Sequence, residues 1–139
     1  MVRTYSPKDV SVIVDGNIIE VFQSVTIDYD EDRISHEPSA TGESTRVINA
    51  NNLGTITIDV PNTSIDNAKL LDVYNDILSN YGSGKFASVR VIDKMGNSKH
   101  TMAQGSVTKV PSTAYEKNKS DYTWVIAGDI DNHEPRGNR

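Results

Sequence analysis

The side chains most able to do chemistry in this chain are carboxylates and imidazoles, and their spacing assembles no reaction. Asp28, Asp30, Glu31 and Asp32 cluster in a way that resembles the first turn of a calcium loop. Such a loop starting at Asp28 needs Gly at its sixth position and Glu at its twelfth, where Arg33 and Ser39 stand. Carboxylates alternating along the wet face of a strand fit the pattern better. Gly82-Ser83-Gly84-Lys85 has the look of the end of a phosphate-binding loop, but the first glycine would have to be Ser79 and Phe86 follows the lysine. It reads as the stop of a helix. His36, His100 and His133 lie in three separate segments with no spacing that places them on one helix face or one metal. The chain has no cysteine, which excludes disulfides, zinc–thiolate sites and thiol nucleophiles. Asn62-Thr63-Ser64 and Asn118-Lys119-Ser120 match a glycosylation sequon, which carries no weight without an export signal. No catalytic, cofactor-binding or metal residue is therefore assigned, and the expected class is not an enzyme.

The elements that would position these groups read mainly as strands. The 139 residues suit one domain, and 36% hydrophobic with 6% aromatic residues suits a β protein with wet sheet faces. With 14 Lys+Arg against 19 Asp+Glu, the formal charge of −5 argues against a protein that grips phosphate backbones. No run approaches the roughly 20 apolar residues of a membrane span, and no signal core precedes Val10, so a cytoplasmic site of folding and no membrane are expected. Residues 1–9 read as an arm, and Val10–Val14 as a strand ending in Asp15-Gly16, a hairpin signal before Ile18. Val25, Ile27 and Tyr29 alternate with Thr26, Asp28 and Asp30; Ile56, Ile58 and Val60 alternate with Thr55, Thr57 and Asp59. Both are half-buried strands. Between them lies a polar connection, Asp30–Thr45, too poor in apolar residues to pack a core, followed by a strand at Arg46–Ala50.

Ser64 is a plausible helix N-cap, with Asp66 in the first turn. Leu70, Leu71, Tyr74, Ile77, Leu78 and Tyr81 then recur at helical spacing, giving one amphipathic helix over 64–81. Phe86–Asp93, Ser98–Val110 with a bulge at Gly105, and Tyr122–Ile130 with the only tryptophan complete the strands. The order is two strands, a long loop, two strands, a helix and three strands, with 131–139 a charged tail without core residues. That order predicts an antiparallel β-sandwich or barrel with one packed helix and a long extended hairpin loop.

Read in series, several stretches resemble a phage tail-tube family from contractile tails. They are Tyr5–Gly16, Asp30–Ser35, Thr41–Asn49, Gly54–Ile58, Thr63–Asn67 and Val91–Gly96. The likeness covers Tyr5–Ile130. Glu37-Pro38-Ser39-Ala40, where a more glycine-like hairpin is expected, and the tail after Asp131 depart from it. The resemblance implies a single tail-tube domain over 1–139 that forms hexameric rings. These stack into the inner tube of a virion tail assembled in the bacterial host cytoplasm. The implied partners are other copies of the chain, a tail sheath, and baseplate and tail-terminator proteins, with DNA passing through the lumen unbound.

The resemblance further implies that the hairpin over 30–46 reaches a neighbour, through Glu31, Asp32, Arg33, Ile34, Ser35, His36, Glu37, Thr41, Gly42, Glu43 and Arg46. On the alternation, the polar face of Thr26, Asp28, Asp30, Thr55, Thr57 and Asp59 is expected to line the lumen. A tube component of a headless contractile particle or secretion system is the near alternative. A stand-alone ligand-binding sandwich is the further one, and it wants an exposed aromatic platform that the scattered tyrosines do not supply.

Overall fold

The structure, a computed structural model, describes residue 2 and residues 5–137. Residues 1, 3, 4, 138 and 139, at the ends of the expected arm and tail, lie outside the described residues. Strands are β1 (Val10–Val14), β2 (Asn17–Ile19), β3 (Ser24–Tyr29), β4 (Ile34–Pro38), β5 (Ser44–Ile48), β6 (Leu53–Pro61), β7 (Ala87–Asp93), β8 (Ser98–Val107), β9 (Asp121–Asp129) and β10 (Asn132–Glu134). One α-helix, α1, spans Asp66–Asn80. The main sheet runs β2-β1-β7-β8-β9-β6-β3, with β10 also on β8, and β4 pairs only with β5. Every pairing is antiparallel.

The expected alternation sets which face is buried. Val12 and Val14 of β1, Ile56, Ile58 and Val60 of β6, Val89 and Val91 of β7, and Trp124 and Ile126 of β9 join one core cluster. Strands β1 and β6 are separated by three others, so these side chains meet only because the sheet curls round on itself, as twisted sheets do. A depression of about 340 Å³ lined by Val10, Val25, Ile27 and Val91 marks where β3, at one end of the sheet, faces β1 and β7. The result is a mainly antiparallel β fold with one helix, as the alternation predicts.

Three glycines lie abreast at one end of this core. Gly54 of β6, Gly128 of β9 and Gly105 of β8 are direct partners, continuing to Tyr29 on one side and Ala87 on the other. A Cβ on Gly54 would strike Ile130, and one on Gly105 would stand 2.7 Å from the Met102 sulfur. The row leaves room for Ile130, Met102 of β8 and Ile126 of β9 to lie close against the backbone at this end of the core.

Helix α1 buries Leu70, Val73 and Ile77, each worth about 2 kcal/mol relative to exposure. Leu71, Leu78 and Tyr81, expected in the core, are exposed instead. The helix rests on the curled sheet along a narrow stripe; Leu71 and Leu78 lie off that stripe, and Tyr81 follows the helix in a 3-10 turn. The helix starts one residue later than expected, with Ile65 at the N-cap position, and the Ser64 hydroxyl still accepts the first-turn Asp66 N–H at 3.1 Å, as a capping side chain does. Asp66 is not a solvated first-turn charge. Its carboxylate is buried, accepting the N–H groups of Glu20 and Val21 at 2.9 and 2.8 Å and pairing with Lys69 at 3.0 Å.

Other departures are local. The arm's Pro7–Asp9 form a 3-10 turn, with the Ser6 hydroxyl accepting the Lys8 N–H. Strand β5 starts and ends two residues before the expected Arg46–Ala50, because its register is set by β4, whose Ile34-Ser35-His36-Glu37-Pro38 carries no alternation. The bulge sits between Met102 and Gly105 rather than on the glycine, as the register with Ala87 and Val89 slips there. The tail is not wholly outside the fold: Asn132–Glu134 pair with Lys99–Thr101, a strand too short to leave a pattern.

Candidate assembly surfaces

Two surfaces emerge from these elements, one flat and one projecting. The flat surface is the outer face of β3, β6, β9 and the end of β8. Register places Ser24 beside Asp59 and Thr123, Thr26 beside Thr57 and Val125, and Asp28 beside Thr55, Ala127 and Ser106. One row further, the Asp30 N–H donates to the Leu53 carbonyl at 3.0 Å, and Leu53 pairs with Asp129. Hydroxyls and carboxylates dominate, and none of these positions holds Lys or Arg. The expected Thr26, Asp28, Asp30, Thr55, Thr57 and Asp59 thus share one face.

Two of the acids are held differently. Asp59 is half-buried, and its two oxygens accept the hydroxyls of Ser24 and Thr123, both at 2.7 Å, tying three strands together. Asp28 is exposed. Strand β9 adds Thr123 and Asp129 to the face, placed opposite Asp59 and Leu53 by a pairing that no local sequence pattern announces.

The projecting surface is the β4–β5 hairpin. All the expected interface residues, Glu31, Asp32, Arg33, Ile34, Ser35, His36, Glu37, Thr41, Gly42, Glu43 and Arg46, are exposed. So are Val47 and Ile48; with Ile34, which faces Ile48 across the hairpin, they take no part in the core cluster. Gly42 turns the tip with φ +92°, a conformation that disfavours any side chain. At the base a polar clamp fixes the exit of the hairpin. The Asn49 N–H donates to the Arg33 carbonyl at 2.8 Å, and Arg33 Nε donates to the Asn49 carbonyl at 3.0 Å. Arg33 also reaches the Asn52 side chain, and Asn49 Nδ2 donates to Glu31 at 2.7 Å. The guanidinium carbon of Arg33 lies 5.8 Å from the centre of the Tyr29 ring.

The remaining chemical groups are few. Residues 67, 68 and 71 of α1 with Val110, Pro111, Tyr122 and Trp124 line an apolar groove of about 220 Å³, in whose wall the indole N–H of Trp124 donates to Asn67 at 3.0 Å. Among the described residues no three of His, Asp or Glu converge as a metal site, and no helix is long and apolar enough to cross a membrane. His100 and His133, which the sequence separates, meet across β8 and β10 with their Nδ1 atoms 2.8 Å apart. Only the pairing of a three-residue strand brings them together.

Known proteins match this arrangement. The chain resembles, at the level of fold, a chain from the virion of a native gene transfer agent particle, with a TM-score of 0.57, 12% identity, and coverage of 91% of this chain and 97% of that one. It also resembles the sheath/tube terminator of an extracellular contractile injection system, PVC, in its extended state, at TM-score 0.56 and 16% identity over 92% and 95% of the two chains. A third is the anti-feeding prophage cap, a tube-terminating cap, at TM-score 0.50 and 11% identity over 93% and 91%. No curated protein matches in sequence. The model of one family, described as the bacteriophage PhiTE tail tube protein, matches residues 4–133. With nearly the whole chain matched, this protein belongs to that tail tube family.

Proposed function

We propose that the chain is the structural subunit of the inner tail tube of a contractile particle, acting as one tail-tube domain. Copies form hexameric rings that stack into a tube, with a sheath outside and baseplate and terminator proteins at its ends. The hexamer and these partners follow from the family resemblance. In this reading the subunit belongs to a virion tail, is assembled in the bacterial host cytoplasm, and its product conducts DNA. The observation that carries the reading is the β4–β5 hairpin: clamped at its base, exposed along its length, and holding Ile34, Val47 and Ile48 outside the core cluster. An isolated two-stranded hairpin is marginal in water, so it is built to lie on another copy. The hydroxyl and acidic face of β3, β6 and β9 is assigned to the lumen. A surface without Lys or Arg gives passing phosphates nothing to hold.

The likeness to terminators of contractile injection systems favours a second reading, an end-capping ring or a tube of a headless particle. Electron microscopy of the purified chain tests both. Stacked tubes of many rings are expected. Single rings that never stack would move the assignment to a terminator, and a strict monomer at high concentration would sink both.

A further inference from the structure

Where β9 ends, β10 takes over the edge of β8. Strand β9 pairs with Gly105–Val107, and β10 with Lys99–Thr101. The takeover is centred on His133, directly opposite His100, with ring centroids 4.8 Å apart and tilted by 45°. Their Nδ1 atoms, 2.8 Å apart, are at hydrogen-bond distance. His133 also meets Tyr29 edge-on, at 5.5 Å and 73°, and Tyr29 carries Arg33 of the hairpin clamp on its ring. The two histidines therefore join the C-terminal strand, the sheet and the foot of the hairpin.

Such a bridge has room for one proton. Of two neutral rings, one carries its hydrogen on Nδ1 and donates, while the other carries it on Nε2 and accepts. A first added proton goes to Nε2 of the donor ring and leaves the bridge intact. A second must go to the accepting Nδ1, setting two N–H groups head to head and two like charges side by side. We propose that the His100–His133 pair is a proton-operated latch that fastens β10 to β8 and steadies the hairpin base, and that mild acid opens it.

The surroundings fix the direction. Burial, and then the charge of His133, hold His100 below the usual imidazole value, outweighing the attraction of Asp93 and Glu134. The groups about the pair are Asp93 from β7, Tyr29 from β3 with Arg33 beyond it, and Glu134 on β10, itself 3.5 Å from Arg136. Asp131, at the β9–β10 turn, has its carboxylate on the Ala103 N–H at 2.7 Å. A freed strand takes protons more readily than the closed one. Closure is thus fully favoured above the ordinary value of about 6.5 and is lost as pH falls through the lowered value.

Deuterium exchange of the full chain at about pH 7.5 and about pH 5 reads the latch, after correction for intrinsic exchange. Amides of Asn132–Glu134 and Lys99–Thr101 are expected to lose protection about tenfold in acid. His133→Phe, which keeps the aromatic edge on Tyr29 and cannot be charged, is expected to remove that dependence. Equal loss in His133→Phe would overturn the latch. In the native chain, nitrogen NMR at neutral pH is expected to find one ring protonated on Nδ1 and the other on Nε2. Two rings both protonated on Nε2 and titrating independently would overturn it without any variant.

Discussion

Asp66 is the residue on which the attachment of the helix turns. It is 1% exposed, yet charged, and this is tolerable because each oxygen has strong donors. One oxygen accepts from Glu20 and Val21 in the β2–β3 connection, and the other pairs with Lys69, which also donates to the Ile18 carbonyl at 3.1 Å. Removing a buried charged acceptor strands its partners. Asp66→Ala is expected to lower stability by about 3 kcal/mol, read by urea unfolding, with the melt remaining cooperative. Burial pushes the Asp66 carboxyl up, but the Val21 and Glu20 N–H groups and Lys69 more than offset it and hold it below the usual value. Its contribution is therefore complete above the ordinary carboxylate value of about 3.9 and fades as pH falls through the lowered one. Asp66→Asn should show a flatter loss of stability in that acid range than the native chain.

At the scale of elements, the assembly role proposed for the hairpin can be tested apart from folding. Residues 33 and 49 are already hydrogen-bonded backbone to backbone, so the strands beyond them can be cut away without opening the domain. Replacing Ile34–Ile48 by an Asn-Gly link should leave a chain that melts like the native one and forms no tubes in electron micrographs. Tubes of normal length would remove the hairpin from the assembly role. Much of this element scale was legible in the sequence. The alternations at Val25–Tyr29 and Thr55–Val60, the Asp15-Gly16 turn and the helix followed from period and turn chemistry, because one face of each is buried. What was hidden shares one property: its cause is not local. Strand β4 lacks alternation because neither face meets a core. Leu71 and Leu78 have core spacing but lie off the stripe that touches the sheet. His133 becomes a strand residue only because β8 has a free edge there.

For the molecule as a whole, the proposed lumen is the outer face of β3, β6 and β9, where none of the paired positions holds Lys or Arg. Thr57 and Asp28 are the positions to test, since neither side chain is hydrogen-bonded among the described residues, whereas Asp59 also ties Ser24 and Thr123. Asp28→Lys with Thr57→Lys should leave tubes intact in micrographs while slowing DNA delivery by assembled particles, because lysines hold phosphates. Unchanged delivery would move the lumen to another face.

The same unpartnered hairpin has a bearing on when tubes form. In the proposed assembly, a segment that buries apolar surface on another copy pays its ordering entropy at the moment of contact. Two free subunits share that cost over few contacts, whereas a subunit arriving at a finished ring meets a prepared partner. In the proposed tube, growth on a finished ring is therefore favoured over starting anew, so the purified chain should form tubes only after a lag, and added tube fragments should shorten that lag.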